Sequence, residues 1–186
     1  MLALLWQPGC WADDTGYNLE FTGTIMAQAC DVEVSSLSQS IDLGQFAVAD
    51  FSSTGTTTKF KPFNINLKNC SRGISGTKIW FTGTADSANK TLANEVEGST
   101  DADNSGNAGA TGVGIRIYSK GTTNNGLINL NTTAAEGSAS TAAYTIPGNA
   151  TTHDFSAAFT AGYAQNGSTV APGVVKSTAS FVVLYE

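Results

Sequence analysis

The sequence is poor in charged residues, in histidine and in long apolar runs. Charged residues make up 13% of its 186 positions, with nine Lys and Arg against fifteen Asp and Glu, for a net charge of −6. Because a negative surface repels phosphate backbones, this charge argues against a nucleic-acid-binding protein. A single histidine and the lack of any cofactor motif argue against an enzyme, so the sequence predicts no cofactor. No apolar run approaches the roughly 18 residues that a membrane-spanning helix needs.

The residues that are abundant favour β structure. Hydrophobic residues make up 41% of the chain, 20 residues are glycine, and threonine, serine and asparagine are frequent. This composition is typical of an all-β domain of the extracellular type. The length suits one domain with its own core and leaves little room for a second one.

The N-terminus has features of a secretory signal. Residues 1–12 begin with a short apolar stretch, and small residues lie where a signal peptidase would cleave, so we predict cleavage after Ala12. The basic start of a signal peptide is missing, so we interpret the segment as the remnant of a longer one. Acylation of Cys10 is the alternative, although the aliphatic residue that usually stands three positions earlier is absent.

The cysteine count points to one disulfide. Removal of residues 1–12 leaves two of the three cysteines, and an even number in an exported chain predicts a Cys30–Cys70 bridge. Two buried free thiols are the alternative, and it requires that the protein stays in the cytoplasm. These two cysteines and His153 supply too few ligands for zinc, so we predict no metal site.

Apolar residues recur with a period of two along the chain, as expected for strands with one buried face. No segment shows a helical period, and residues 99–112 read as an exposed polar loop. Many short strands between turn-rich segments favour a β-sandwich with Greek-key connections. The predicted strands comprise residues 17–25, 41–46, 63–67, 78–82, 113–118, 127–130, 155–163 and 174–185.

The last predicted strand is apolar at most of its positions. One side of it carries Ala179, Phe181, Val183 and Tyr185, and the other carries Ser180, Val182 and Leu184. This pattern predicts a strand that is buried on both faces and lies inside a sheet. An exposed sheet edge would usually carry charge to prevent pairing with other chains.

Two further clusters of polar residues are candidate sites. Asp101, Asp103, Ser105 and Gly106 copy the start of a calcium loop, but Gly112 stands where such a loop requires a bidentate glutamate. His153 lies next to Asp154, but no serine or cysteine stands in a nucleophile motif, and adjacent strand residues face opposite ways. We therefore predict no catalytic residues.

Several segments together resemble the pilin subunits of chaperone-usher, type 1-like fimbriae. The resemblance covers nearly the whole chain after residue 12, and it depends on the order and spacing of its motifs. These motifs are FTGTIMAQAC at 21–30, IDLGQF at 41–46, FNINLKNC at 63–70, TGVGIRIY at 111–118 and APGVVKSTASFVVLYE at 171–186.

The resemblance implies an incomplete immunoglobulin-like β-sandwich that lacks its last strand. Residues 13–25 would form a donor strand that completes the sandwich of a neighbouring subunit, and residues 26–186 would form the pilin domain. The groove-filling positions of the donor strand would be Tyr17, Leu19, Phe21, Gly23 and Ile25. The acceptor groove, which also contacts the chaperone, would include Ala179, Phe181, Val183, Tyr185 and Gly173.

The same resemblance implies the partners and the location of the protein. The partners would be other pilin subunits, a periplasmic chaperone and an outer-membrane usher, and the product would be a surface fimbria that supports adhesion. A secreted carbohydrate-binding sandwich is the alternative, but Trp80 is the only tryptophan left after removal of residues 1–12. An enzyme ranks third.

Overall fold

A computed structural model describes residues 30–71, 73–88, 90–119, 126–131, 142–145 and 153–185. These residues contain seven strands, one turn of α-helix and one short 3₁₀ turn. The strands are β1 (Asp31–Val32), β2 (Lys61–Cys70), β3 (Gly76–Gly83), β4 (Val113–Ser119), β5 (Ala142–Thr145), β6 (His153–Gln165) and β7 (Ala179–Tyr185). The helix α1 spans Val34–Leu37, and the 3₁₀ turn spans Val48–Asp50. No described helix is long and apolar enough to cross a membrane.

The strands form two antiparallel sheets that enclose the core. One sheet has the order β1-β2-β6-β4, and the other has the order β5-β3-β7. Their inner faces meet through Phe159 of β6 and Phe81 of β3, whose ring centroids lie 5.1 Å apart. The alternating pattern of β2 buries Ile65 and Leu67 in the same core. The predicted all-β sandwich is therefore confirmed.

The predicted disulfide is present. Cys30 immediately precedes β1, Cys70 ends β2, and their sulfur atoms are bonded. Both residues are buried and belong to the core cluster. In the chain-entropy model, closing a loop of this size stabilises the folded state by about 4 kcal/mol.

The predicted strands within β2, β3, β4 and β6 are confirmed, whereas two others are wrong. Residues 41–46 form no strand because Asp42 folds back to accept a hydrogen bond from the Gly44 N–H at 2.9 Å, and Gly44 has a φ of 84°. Residues 127–130 make only a bridge between Leu127 and Tyr118 before the chain turns. Helix α1 was not predicted because one turn is too short to show a helical period.

The predicted environment of the last strand is also wrong. β7 begins at Ala179, later than predicted, and among the described strands it pairs only with β3, at the edge of its sheet. Only the side that carries Phe181 packs on the core. On the other side Val182 is 40% exposed and Leu184 is 42% exposed. The strand is apolar on both faces but buried on one.

Candidate functional site

The candidate site is a groove between two chain segments. We call residues 171–185 the acceptor edge; they comprise β7 and the extended stretch that precedes it. We call residues 36–51 the facing segment. In the described residues no backbone hydrogen bond joins the two.

Along its length, the acceptor edge is hydrogen-bonded on the side that faces β3 and the loop containing Asn94 and Ala108. We call this its inner side, and the opposite side, toward the groove, its outer side. Before β7, the Val174 N–H donates to the Ala108 carbonyl at 2.8 Å, and the Lys176 N–H donates to Asn94 Oδ1 at 2.9 Å. Within β7, pairing with β3 continues from Ala179 to Tyr185. The inner side is therefore occupied, which leaves the outer side available to another strand.

Unpaired backbone groups alternate with the paired ones. Neither the Val175 N–H nor the Ser177 N–H has a hydrogen-bond partner among the described residues. Successive N–H groups of a strand point to opposite sides, so these two point away from the inner partners of Val174 and Lys176. The acceptor edge thus presents regularly spaced donors toward the groove.

The facing segment is held to the β1-β2-β6-β4 sheet by polar contacts. Ser36 is buried, and its Oγ accepts a hydrogen bond from the Asn66 N–H at 2.9 Å. Further along, the Tyr163 hydroxyl donates to the Gly44 carbonyl at 3.2 Å, and its ring packs edge-on against Phe46. These contacts fix one side of the groove.

Two cavities lie one after the other between the segments. The first has a volume of about 410 Å³ and lies between residues 36–43 and residues 177–181. The second has a volume of about 630 Å³ and lies between residues 44–51 and residues 170–175. The two segments therefore run in opposite directions, and a groove of about 12 residues at about 3.3 Å per residue is about 40 Å long.

The groove is lined mainly by apolar side chains from both sheets. The first cavity has no charged residue in its lining, and Ile65, Phe81 and Ile117 form part of it. The second is lined by Phe46, Phe51 and Val113, among others, and its charged residue is Asp103. An amide hydrogen bond from Asn107 is the main cause that lowers the pKa of Asp103, which keeps this carboxylate ionised. The surface suits an apolar partner.

The structure brings three of the five predicted acceptor residues to the groove. Ala179 and Phe181 line the first cavity, and Gly173 lines the second. Val183 and Tyr185 pack against the core beyond the cavities, so they close the end of the sandwich without lining the groove. Gly173 is required by a close approach, because a Cβ there would lie 2.5 Å from both the Ala108 oxygen and the Ala110 nitrogen.

Sequence reasoning missed the facing segment as a wall of the groove. Leu37 is 62% exposed, Val48 is 40% exposed, and both line the cavities. The alternation at residues 41–46 predicts an ordinary strand, which is not what lies there. These apolar side chains lie in a stretch that forms no strand pairing, and their exposure can be seen only in the folded structure.

In the calcium-like loop, the aspartate side chains accept hydrogen bonds from backbone N–H groups of the loop itself. Asp101 Oδ1 accepts a hydrogen bond from the Gly106 N–H at 2.8 Å, and Asp103 Oδ1 accepts one from the Ser105 N–H at 3.0 Å. These bonds shape the exposed loop at residues 99–107. Across the described ranges, no group of three or more His, Cys, Asp or Glu side chains is arranged to hold a metal ion.

The predicted donor strand lies outside the described residues. The first residue that the structure describes is Cys30, and the five groove-filling positions all precede it: Tyr17, Leu19, Phe21, Gly23 and Ile25. The boundaries at residues 12 and 25 also lie there. These assignments stay predictions.

Comparison with known proteins gives matches to fimbrial proteins. The fimbrial subunit type 1 of Salmonella typhimurium is 30% identical over 172 residues, which cover 92% of this chain and 83% of that protein. The uncharacterized fimbrial-like protein YdeS of Escherichia coli strain K12 is 33% identical over 99 residues, which cover 53% of this chain. The chain spans about half of the length of YdeS and of other curated relatives that it matches.

A solved structure supports the fold. The crystal structure of the P pilus rod subunit PapA matches with a TM-score of 0.62 at 20% identity, covering 86% of this chain and 100% of that one. The incomplete immunoglobulin-like sandwich predicted from the sequence is thereby confirmed, and the carbohydrate-binding alternative is not favoured. A model of the family described as fimbrial protein matches residues 19–186, and with the relatives above it shows that this chain belongs to that family.

Proposed function

We propose that the protein is a structural subunit of a surface fimbria and that it polymerises head-to-tail by donor-strand exchange. Residues 13–25 of one subunit would occupy the groove of the next. The observation that carries the proposal is the apolar groove beside an acceptor edge whose Val175 and Ser177 N–H groups have no partner among the described residues.

The groove and the proposed donor strand match in length and in character. Thirteen extended residues span about 43 Å, close to the length of the groove. Backbone hydrogen bonds to an exposed strand edge supply affinity, and alternate side chains in pockets supply the register. The donor side chains on one face are Tyr17, Leu19, Phe21, Gly23 and Ile25. A donor at one end and an acceptor groove elsewhere make a contact that does not close, so it generates a filament.

Exposed apolar side chains at the rim support the same role. Leu37 and Val48 on the facing segment would be covered by an inserted strand. In contrast, no described aromatic side chain is among the large hydrophobic residues exposed on the surface. A cluster of exposed aromatics would be expected for a carbohydrate-binding sandwich.

The assembly partners and the route of export belong to the proposal. A subunit that exposes this groove needs a temporary occupant, which we propose is a periplasmic chaperone, and an outer-membrane usher then passes the subunits to the surface. The disulfide supports passage through an oxidising compartment. The cell-surface fimbria would support adhesion.

Peptide capture tests the function directly. A labelled peptide of residues 13–26 is mixed with the purified full chain, and binding is followed by fluorescence anisotropy. A peptide of the same composition in scrambled order is the control, because it keeps the hydrophobicity but loses the alternation. We expect slow, tight binding of the first peptide only. Equal binding of both peptides would overturn the proposal.

A further inference from the structure

We infer that Asn94 and Glu95 are positioning residues that hold the acceptor edge in the conformation that receives a donor strand. The inference rests on the proposed function and extends it to residues outside the groove. Neither residue lines either cavity, and both bind the acceptor edge from its inner side.

Asn94 is a buried side chain that uses both ends of its amide. It is 5% exposed, and its Nδ2 donates to the carbonyl oxygens of Ala110 at 2.8 Å and Val174 at 3.1 Å. Its Oδ1 accepts from the Lys176 N–H at 2.9 Å. One side chain therefore connects the loop before β4 with two residues of the acceptor edge.

Glu95 continues the same line toward β7. Its Oε1 accepts a hydrogen bond from the Thr178 N–H at 2.8 Å, and its Oε2 accepts one from the Thr178 hydroxyl at 3.1 Å. Its own N–H donates to the Lys176 carbonyl at 2.8 Å. Glu95 is exposed, but its carboxylate accepts from both polar donors of Thr178, so two charge-assisted bonds orient this residue.

These two side chains replace a neighbouring strand where the sheet has none. Between the bridge of Val174 with Gly109 and the pair of Ala179 with Gly83, the backbone hydrogen bond from Glu95 to the Lys176 carbonyl is the only one that the described residues make to the acceptor edge. In the interval, the N–H groups of Lys176 and Thr178 are bonded to Asn94 and Glu95.

The consequence is a fixed orientation of the backbone groups that face the groove. With alternate N–H groups held inward, the intervening groups of Val175 and Ser177 must point outward. A rotation of this stretch would remove the donors that pair with an incoming strand and would shift its register. A shift of one residue turns every groove-facing side chain of the donor to the wrong side.

The experiment compares two alanine substitutions in the same loop. Glu95→Ala removes both acceptors of Thr178. Glu97→Ala is the matched control, because Glu97 also accepts a hydrogen bond from a backbone N–H, at 2.9 Å, but that group belongs to Gly112, outside the acceptor edge. Both variants are made in the full chain and loaded with the labelled peptide of residues 13–26, and the dissociation rate of the peptide is measured.

We expect dissociation to be about tenfold faster in Glu95→Ala and to change less than about twofold in Glu97→Ala. A second measurement separates positioning from general stability. The unchanged protein should release a peptide carrying Gly23→Leu faster than the original peptide, and the ratio of these two dissociation rates measures how strictly the register is held. Glu95→Ala should reduce this ratio, whereas Glu97→Ala should keep it. Glu95→Gln retains one acceptor oxygen and should recover part of the ratio.

The results separate the inference from the proposed function. Equal dissociation rates and equal ratios in Glu95→Ala and Glu97→Ala would overturn the inference alone, because the donor strand would still bind. Failure of the unchanged protein to distinguish the peptide from its scrambled control would overturn the proposed function and the inference with it.

Discussion

The Tyr185 hydroxyl donates a hydrogen bond of 3.0 Å to the backbone carbonyl of Cys30, whose sulfur is bonded to Cys70. This contact joins the end of the last strand to the start of the described chain. Tyr185 is partly buried, and burial is the main cause that raises its pKa, followed by the negative charge of Asp31. The sandwich is thus closed at one end by a group that must stay protonated.

The raised tyrosine pKa values predict a loss of stability at alkaline pH. Burial also raises the pKa of Tyr163, with a second contribution from Asp42. Because the folded pKa lies above the unfolded value of about 10, the folded state binds more protons between the two values. The contribution of these two tyrosines to stability is complete below about pH 10 and is lost as the pH rises through the folded pKa. We expect the urea midpoint to fall above about pH 10, and to fall less steeply in a Tyr163→Phe, Tyr185→Phe double variant. The same slope in both proteins would contradict the assignment.

The disulfide predicts a strong effect of Cys30→Ser. Loss of the bridge removes about 4 kcal/mol of loop-closure stabilisation from a domain whose total is about 5–15 kcal/mol. We expect a sharply lower periplasmic yield and a lower urea midpoint. The double variant Cys30→Ser, Cys70→Ser should lose a similar amount of stability, since the single and the double variant lack the same bridge. Free thiols at both positions of the native protein, detected by mass spectrometry, would contradict this prediction.

Gly173 should not tolerate a side chain. A Cβ there would lie 2.5 Å from two backbone atoms of residues 108–110, which cannot move like the end of a flexible side chain. Gly173→Ala should cost about 1–3 kcal/mol or more in urea unfolding. Gly98→Ala is the control, because nothing lies within 4 Å of its Cβ position and only the backbone strain of its φ of 76° remains. A smaller loss at Gly173 than at Gly98 would contradict the close approach.

The sequence predicted the strands that have a full-length partner and failed where pairing is incomplete. Phe63, Ile65 and Leu67 alternate because β2 lies between β1 and β6 with one face on the core. The alternation of Val182 and Leu184 carries no information about whether another sheet or strand covers them. Asn94 could not be recognised, because its partners at Ala110, Val174 and Lys176 are brought together only by the fold.

The register of the proposed donor strand predicts different effects on its two faces. If Gly23 lies over a narrow part of the groove, Gly23→Leu in the peptide of residues 13–26 adds four carbons with no space, at a cost of about 1–3 kcal/mol. Gly23→Ala should be milder, and Glu20→Gln on the opposite face should change little. Exchange is measured by anisotropy against the full chain. Equal exchange rates for the original and Gly23→Leu peptides would contradict this register.

The unpaired groups of the acceptor edge predict a specific pattern of hydrogen exchange. In the peptide-free protein the amides of Lys176 and Thr178 are bonded to Asn94 and Glu95, whereas those of Val175 and Ser177 have no partner among the described residues. We expect slow exchange at the first pair and fast exchange at the second in nuclear magnetic resonance spectra. A bound donor strand would pair with the outward groups, so binding of the peptide should slow exchange at Val175 and Ser177 and change the other two little. A general slowing at all four amides would instead indicate rigidification without a new strand. Because the alternation comes from strand geometry, this measurement distinguishes an inserted strand from a peptide that merely adheres to the apolar groove.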